Sequence, residues 1–194
     1  MKKQKTDSLK HIFTLPNIMS FFRICLIPVI VWLYCIKKNY TFTGFIIIIS
    51  GLTDILDGFI ARKFNLISDL GKILDPIADK FTQLAVLICL LTKFPWMLMP
   101  IISMIFKEIF VGITGFIAIK KSGKVSGADW HGKVATILLY SMMVLHMFWL
   151  NIPNEVSSAS ILLCTSMIFV SFFFYITKNL KAIKFSDTHA NKKQ

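Results

Sequence analysis

Four aspartates carry the most chemistry in this sequence. Asp54 and Asp57 are three residues apart, Asp75 and Asp79 four apart. On helices either spacing puts both carboxylates of a pair on one face. Carboxylates brought together repel strongly unless cations neutralise them. Oxygen donors of this kind suit hard divalent ions such as Mg2+ or Mn2+, so the spacing predicts a metal and acid–base site built from Asp54, Asp57, Asp75 and Asp79. The neighbours fit a phosphate-bearing ligand. Arg62 offers a planar fork suited to phosphate, Gly58 and Gly71 allow close approach to the backbone, and Ala61 is small. Pro76 is read as standing in the first turn of a helix, where its missing N–H is tolerated. Ordinary solvated helix ends would account for one or two such carboxylates, but poorly for four in helical phase with two glycines. Asp69 breaks the spacing and reads as a solvated surface residue.

These aspartates sit between very apolar surroundings. The chain has 194 residues, 55% hydrophobic and 16% charged, with 18 Phe; soluble domains average about 25% charged residues. The apolar residues fall in blocks near the roughly 20 residues that a bilayer-crossing helix needs. Six spans are predicted, near 18–36, 43–60, 76–91, 95–119, 134–152 and 156–177, and backbone in a bilayer must satisfy its own hydrogen bonds, so all are helices. Residues 62–74 alternate charged and apolar side chains and read as a short cytoplasmic amphipathic segment in the interface. The expected fold is an all-α integral membrane protein. It would form one domain over 1–177, with 1–17 as a cytoplasmic or interfacial N-terminal segment and 178–194 as a basic, mobile cytoplasmic tail.

The net charge of +12 is concentrated at the ends of the apolar blocks, where Lys and Arg orient helices and attract anionic lipid headgroups. With no binding module in the sequence, that placement excludes nucleic acid as a partner. Lys2, Lys3, Lys5, Lys10, Arg62, Lys63, Lys72, Lys120, Lys121, Lys124, Lys178, Lys181, Lys184, Lys192 and Lys193 fall on one side of the predicted bundle, Lys37, Lys38 and Lys93 on the other. The acidic stretch and both termini are therefore expected to face the cytoplasm. Cys25, Cys35, Cys89 and Cys164 each lie in an apolar block with no C-x-x-C pair, and read as small hydrophobes in helices.

Eight of these residues also form a known pattern. Asp54, Asp57-Gly58, Ala61-Arg62, Gly71, Asp75 and Asp79 read D-x2-D-G-x2-A-R-x8-G-x3-D-x3-D, which resembles the signature of the CDP-alcohol phosphatidyltransferases at every fixed position and gap. The segment TLPNIMSFFRICLIPV, with Pro16, Asn17 and Arg23, resembles the opening of the bacterial phosphatidylglycerophosphate synthases of that family. The resemblance implies transfer of a phosphatidyl group from CDP-diacylglycerol to an alcohol, with release of CMP. It further implies two Mg2+ or Mn2+ ions held by Asp54, Asp57, Asp75 and Asp79, with Asp79 also the base for the acceptor hydroxyl. Gly58, Ala61, Arg62 and Gly71 would line the CDP pocket, and the chain would form a homodimer among membrane lipids.

The acceptor is less sharply marked. Lys107-Glu108 lies within the fourth span, and an intramembrane charge pair is a functional candidate; a structural pair bridging helices is its alternative. Synthases using glycerol 3-phosphate commonly carry Arg-Glu there and a further Arg eight positions after the first, where this chain has Lys107 and Gly115. Lys133 in HGKVAT matches a lysine of the family, so Lys107 and Lys133 are the candidates for an acceptor phosphate. Glycerol 3-phosphate is the expected acceptor, with phosphatidylglycerol, in a cardiolipin synthase of the same family, as the alternative. A cation transporter is a distant third, since its site belongs near the midplane on broken helices. His131 is read as an interfacial anchor and His146 as a packing residue.

Overall fold

The computed structural model describes residues 15–63, 71–122 and 129–191. Among these there is no strand. Helices α1 (Leu15–Val31), α2 (Tyr40–Lys63), α3 (Gly71–Leu91), α4 (Leu98–Ser122), α5 (Trp130–Phe148) and α6 (Asn154–Asn191) follow one another, with a π-helical turn at Trp32–Ile36 and a short 3-10 turn at Pro95–Met97.

Each predicted span corresponds to one helix, with three differences of extent. α3 opens at Gly71 rather than at 76, so Pro76 lies in its second turn; the carbonyl it leaves unbonded belongs to residue 72, still close to the helix start. α5 is shifted towards the N-terminus and stops at Phe148, ahead of Pro153. α6 runs through residues 178–191, where a mobile tail was expected. No Gly or Pro interrupts 154–191, so nothing in the backbone ends the helix. At about 1.5 Å per residue its 38 residues exceed the roughly 30 Å of a hydrocarbon core. The amphipathic segment predicted at 62–74 lies largely outside the described residues.

The first half of the chain shows which solvent the fold is made for. On α1, Asn17, Ser20 and Arg23 recur every third residue and are buried, whereas Phe21 and Phe22 are 62% and 51% exposed. Polar groups point inward and large apolar ones outward, the reverse of a water-soluble helix. Three helical stretches, Asn17–Ile36, Pro95–Lys120 and Asn154–Lys184, are long and apolar enough to cross a membrane by length and composition. The chain is a membrane protein.

The described residues group into two compact units. The first holds α1, α2, α3 and the stretch Met143–Leu150. In it α1 packs against both α2 and α3. The chain reverses after the π turn: Lys37 N–H bonds the Trp32 carbonyl, Lys38 takes a positive φ of 52°, and the Asn39 side chain caps α2 by accepting from the Phe42 N–H at 3.1 Å, as N-caps do. Gly44 is there for a close approach, since a Cβ would meet the Phe148 ring at 2.8 Å.

The second unit holds residues 94–142 and those from Asn151 onward. Its main packing is α4 against α6. Phe172 meets Phe106 and Phe110 with ring centroids 5.3 and 6.2 Å apart, and the Asn179 amide donates to the Thr114 hydroxyl at 3.0 Å.

Candidate active site

α2 and α3 carry the four aspartates. Asp54 and Asp57 stand in the last three turns of α2, and with Gly58, Ala61 and Arg62 their side chains lie outside the described residues. Asp75 and Asp79 stand in the first turns of α3, four residues and so about one turn apart, both partly buried. Gly71 opens the same helix and is buried. Among the described residues no group of three or more His, Cys, Asp or Glu gathers that could hold a metal; two of the four predicted ligands fall outside that set.

The hydrogen bonds of Asp75 and Asp79 explain how they are aimed. The Ser20 hydroxyl of α1 donates to Asp75 Oδ1, across the α1–α3 packing. The Gln83 amide, one turn beyond Asp79, donates to both of its carboxylate oxygens at 3.0 and 2.9 Å, and Lys80 Nζ stands 3.7 Å from Asp79 Oδ2. Ser20 and Gln83 are both fully buried. A buried polar side chain demands a partner, and Ser20 and Gln83 each give a hydrogen bond to a carboxylate of α3. Neither residue belongs to the eight-position pattern. The sequence marks Ser20 only as the middle of a polar Asn17–Ser20–Arg23 stripe, with nothing to pair it to Asp75, whereas Gln83 is the i+4 neighbour of Asp79.

The acceptor candidates fall in the second unit. Lys107 on α4 is buried, with Nζ 3.5 Å from Glu108 Oε1 and 5.9 Å from the centre of the Tyr175 ring. Lys133 lies in the first turn of α5 and is exposed. Gly115 faces Asn179, whose Nδ2 would lie 3.7 Å from an added Cβ.

His131 is not the interfacial anchor that its neighbour Trp130 suggested. It is buried, with Nδ1 3.3 Å from the Ser171 hydroxyl, Nε2 3.6 Å from Asp129 Oδ2 and its ring stacked on Phe174 at 5.2 Å. Asp129 in turn accepts from Lys178 at 2.7 and 2.8 Å. No spacing rule links residues 129 and 178, so this cluster was invisible in the sequence. His146 is fully buried, as a packing residue should be. The four cysteines are free thiols: Cys89 and Cys164 are buried, Cys25 and Cys35 exposed.

Known proteins extend the likeness well beyond the aspartates. The profile of the CDP-alcohol phosphatidyltransferase family matches residues 13–172. A Bacillus subtilis protein named CDP-diacylglycerol–glycerol-3-phosphate 3-phosphatidyltransferase is 33% identical over 202 aligned residues, covering 90% of this chain and 100% of the relative. A Rickettsia typhi protein of the same name is 37% identical over 110 residues, 55% of this chain and 62% of the relative. A Schizosaccharomyces pombe fusion protein named for cardiolipin synthase and a mitochondrial hydrolase is 42% identical over 84 residues, 43% of this chain and 14% of the relative. The aspartate pattern, the helices that carry it and a profile match over most of the length agree: the chain belongs to the CDP-alcohol phosphatidyltransferase family.

Proposed function

We propose that this enzyme transfers the phosphatidyl group of CDP-diacylglycerol to glycerol 3-phosphate, giving phosphatidylglycerophosphate and CMP. The observation that carries the reading is the intact eight-residue pattern on α2 and α3, within a chain that matches the Bacillus subtilis CDP-diacylglycerol–glycerol-3-phosphate 3-phosphatidyltransferase over the relative's whole length.

In this reading the acceptor hydroxyl gives its proton to Asp79. Its oxygen forms a bond to the lipid-bearing phosphorus, and the bond from that phosphorus to the bridging oxygen breaks as CMP leaves. Gln83 holds both Asp79 oxygens and so orients the carboxylate for proton transfer. Arg62 grips the diphosphate, with Gly58, Ala61 and Gly71 allowing the nucleotide close to the backbone. Lys107 and Lys133 take the acceptor's phosphate.

The donor set fits a divalent metal: carboxylate oxygens from Asp54, Asp57, Asp75 and Asp79 suit Mg2+ or Mn2+, and the Ser20 bond to Asp75 is the kind of outer support that aims a ligand. Two such ions, when bound, would neutralise charge on the diphosphate and the departing CMP. In this reading the six helices are six spans of one domain over 1–177, with 178–194 beyond it. The aspartates and both termini face the cytoplasm, and the protein works as a homodimer.

A second reading has specific support. Gly115 stands where synthases using glycerol 3-phosphate carry arginine, and a lysine at 107 lacks the arginine fork; the Schizosaccharomyces pombe relative is named for cardiolipin synthase. Phosphatidylglycerol is then the acceptor. Purified protein in mixed micelles with CDP-diacylglycerol and Mg2+ or Mn2+ separates the two. Radiolabelled glycerol 3-phosphate should enter the lipid phase with release of CMP; CMP release with phosphatidylglycerol alone would hand the assignment to the second reading.

A further inference from the structure

We infer that Tyr175 is the positioning residue for the acceptor-phosphate lysines, a role that rests on the reading of Lys107 and Lys133 given above. Three elements of the second unit meet at this one side chain. Lys107 Nζ of α4 lies 5.9 Å from the ring centre, within the roughly 6 Å range in which a ring face attracts a cation. The hydroxyl accepts the Asp129 N–H at 3.1 Å, at the entry to α5. Gly132 makes that approach possible, because a Cβ there would stand 2.5 Å from the tyrosine oxygen. Lys133 is the next residue along. His131, one residue before Gly132, meets the same ring edge-on with centroids 4.7 Å apart.

Tyr175 therefore does two separable things. Its ring holds a buried ammonium at a place where it can serve an anion. Its hydroxyl ties down the helix start that carries the second lysine. The grip is reinforced one turn further along α6, where Lys178 bonds the Asp129 carboxylate at 2.7 and 2.8 Å. Tyrosine is the side chain that combines the two roles, an aromatic face and a polar tip.

The test is steady-state kinetics of the full-length enzyme in mixed micelles, varying glycerol 3-phosphate and CDP-diacylglycerol separately. Tyr175→Phe keeps the ring and loses the hydroxyl bond, and should raise KM for glycerol 3-phosphate roughly 2- to 10-fold. Tyr175→Leu loses both and should raise it by roughly 10- to 30-fold. In both variants kcat and KM for CDP-diacylglycerol stay within about twofold. In a Lys107→Gln background the ring has no cation to hold, so Tyr175→Leu should cost no more than Tyr175→Phe does in the native enzyme. Full additivity with Lys107→Gln would overturn the inference. So would an unchanged acceptor KM, or an equal rise in KM for both substrates. If Tyr175→Leu does not fold, the acceptor KM of Tyr175→Phe decides alone. A Lys107→Gln enzyme with native acceptor KM sinks the reading of that lysine, and the inference with it. A raised KM in Lys107→Gln alongside native kinetics in the tyrosine variants sinks only the role of Tyr175.

Discussion

Asp75 and Asp129 are both partly buried carboxylates in this protein, and they are partnered in opposite ways. Asp129, in the second unit, accepts from Lys178 at 2.7 and 2.8 Å and stands 3.6 Å from His131. Its charge is answered within the fold. Asp75, in the first unit, accepts from the neutral Ser20 hydroxyl. Neutral donors aim a carboxylate without cancelling its charge. An aspartate held by an ammonium is a fastening; an aspartate aimed by a hydroxyl or an amide is ready for an incoming cation or proton.

The largest effect should come from exchanging each carboxylate for its amide. Asp75→Asn keeps size and shape and can still accept from Ser20, so the protein should fold with an unchanged melting temperature. Phosphatidyl transfer should fall by at least about 10³-fold, the scale of losing charge-stabilising machinery in phosphoryl chemistry. Asp129→Asn should behave in reverse, lowering the melting temperature by roughly 2–6 °C while turnover stays measurable. Thermal unfolding and radiometric assay of both variants decide the matter. Native activity in Asp75→Asn, or an Asp129→Asn that is inactive yet as stable as the parent, breaks the distinction.

A middle-sized effect sharpens it. If Ser20 and Gln83 aim carboxylates at a cation, then Ser20→Ala and Gln83→Leu should each cost roughly 10- to 100-fold in activity or in metal affinity. A Mg2+ titration of activity would show the loss as a higher half-saturating concentration for Ser20→Ala. Activity of either variant that is indistinguishable from the parent at every Mg2+ concentration would reduce those hydrogen bonds to packing.

How these residues were legible differs by the range of the signal. The helices could be read because long apolar blocks in a membrane protein leave the backbone one solution. The aspartates could be read because 3- and 4-residue spacings are local to one helix. Helix ends were less legible: α3 begins at Gly71 and α6 runs on to Asn191, since a helix stops where backbone chemistry stops it rather than where hydropathy falls. Partners distant in sequence were not legible at all. Ser20 and Asp75 are 55 residues apart, Asp129 and Lys178 are 49 apart, and only the packing of one helix on another brings such pairs together. His131 shows the cost of judging by neighbours: beside Trp130 it reads as an anchor, yet Ser171 and Phe174 of α6 enclose it.

The smallest effect expected probes the fastening from its other end. Lys178 is half-exposed, with 39% of its side chain open, so water can replace much of what its ammonium gains from Asp129, and its stem loses rotamer freedom in the bond. Lys178→Met keeps most of the stem's packing and deletes the charge. Asp129 keeps His131 at 3.6 Å and, being partly open itself, can turn to solvent. The loss should therefore be about 0.5–1 kcal/mol, or roughly 1–4 °C in melting temperature for a chain of this size. It should shrink further as salt screens the parent's ion pair. Asp129→Asn removes the one negative charge that faces both Lys178 and His131, where Lys178→Met removes a single donor from a carboxylate that keeps His131 beside it, so the lysine variant should be the milder. A Lys178→Met protein less stable than Asp129→Asn would mean that the lysine, rather than the carboxylate, is the centre of this cluster.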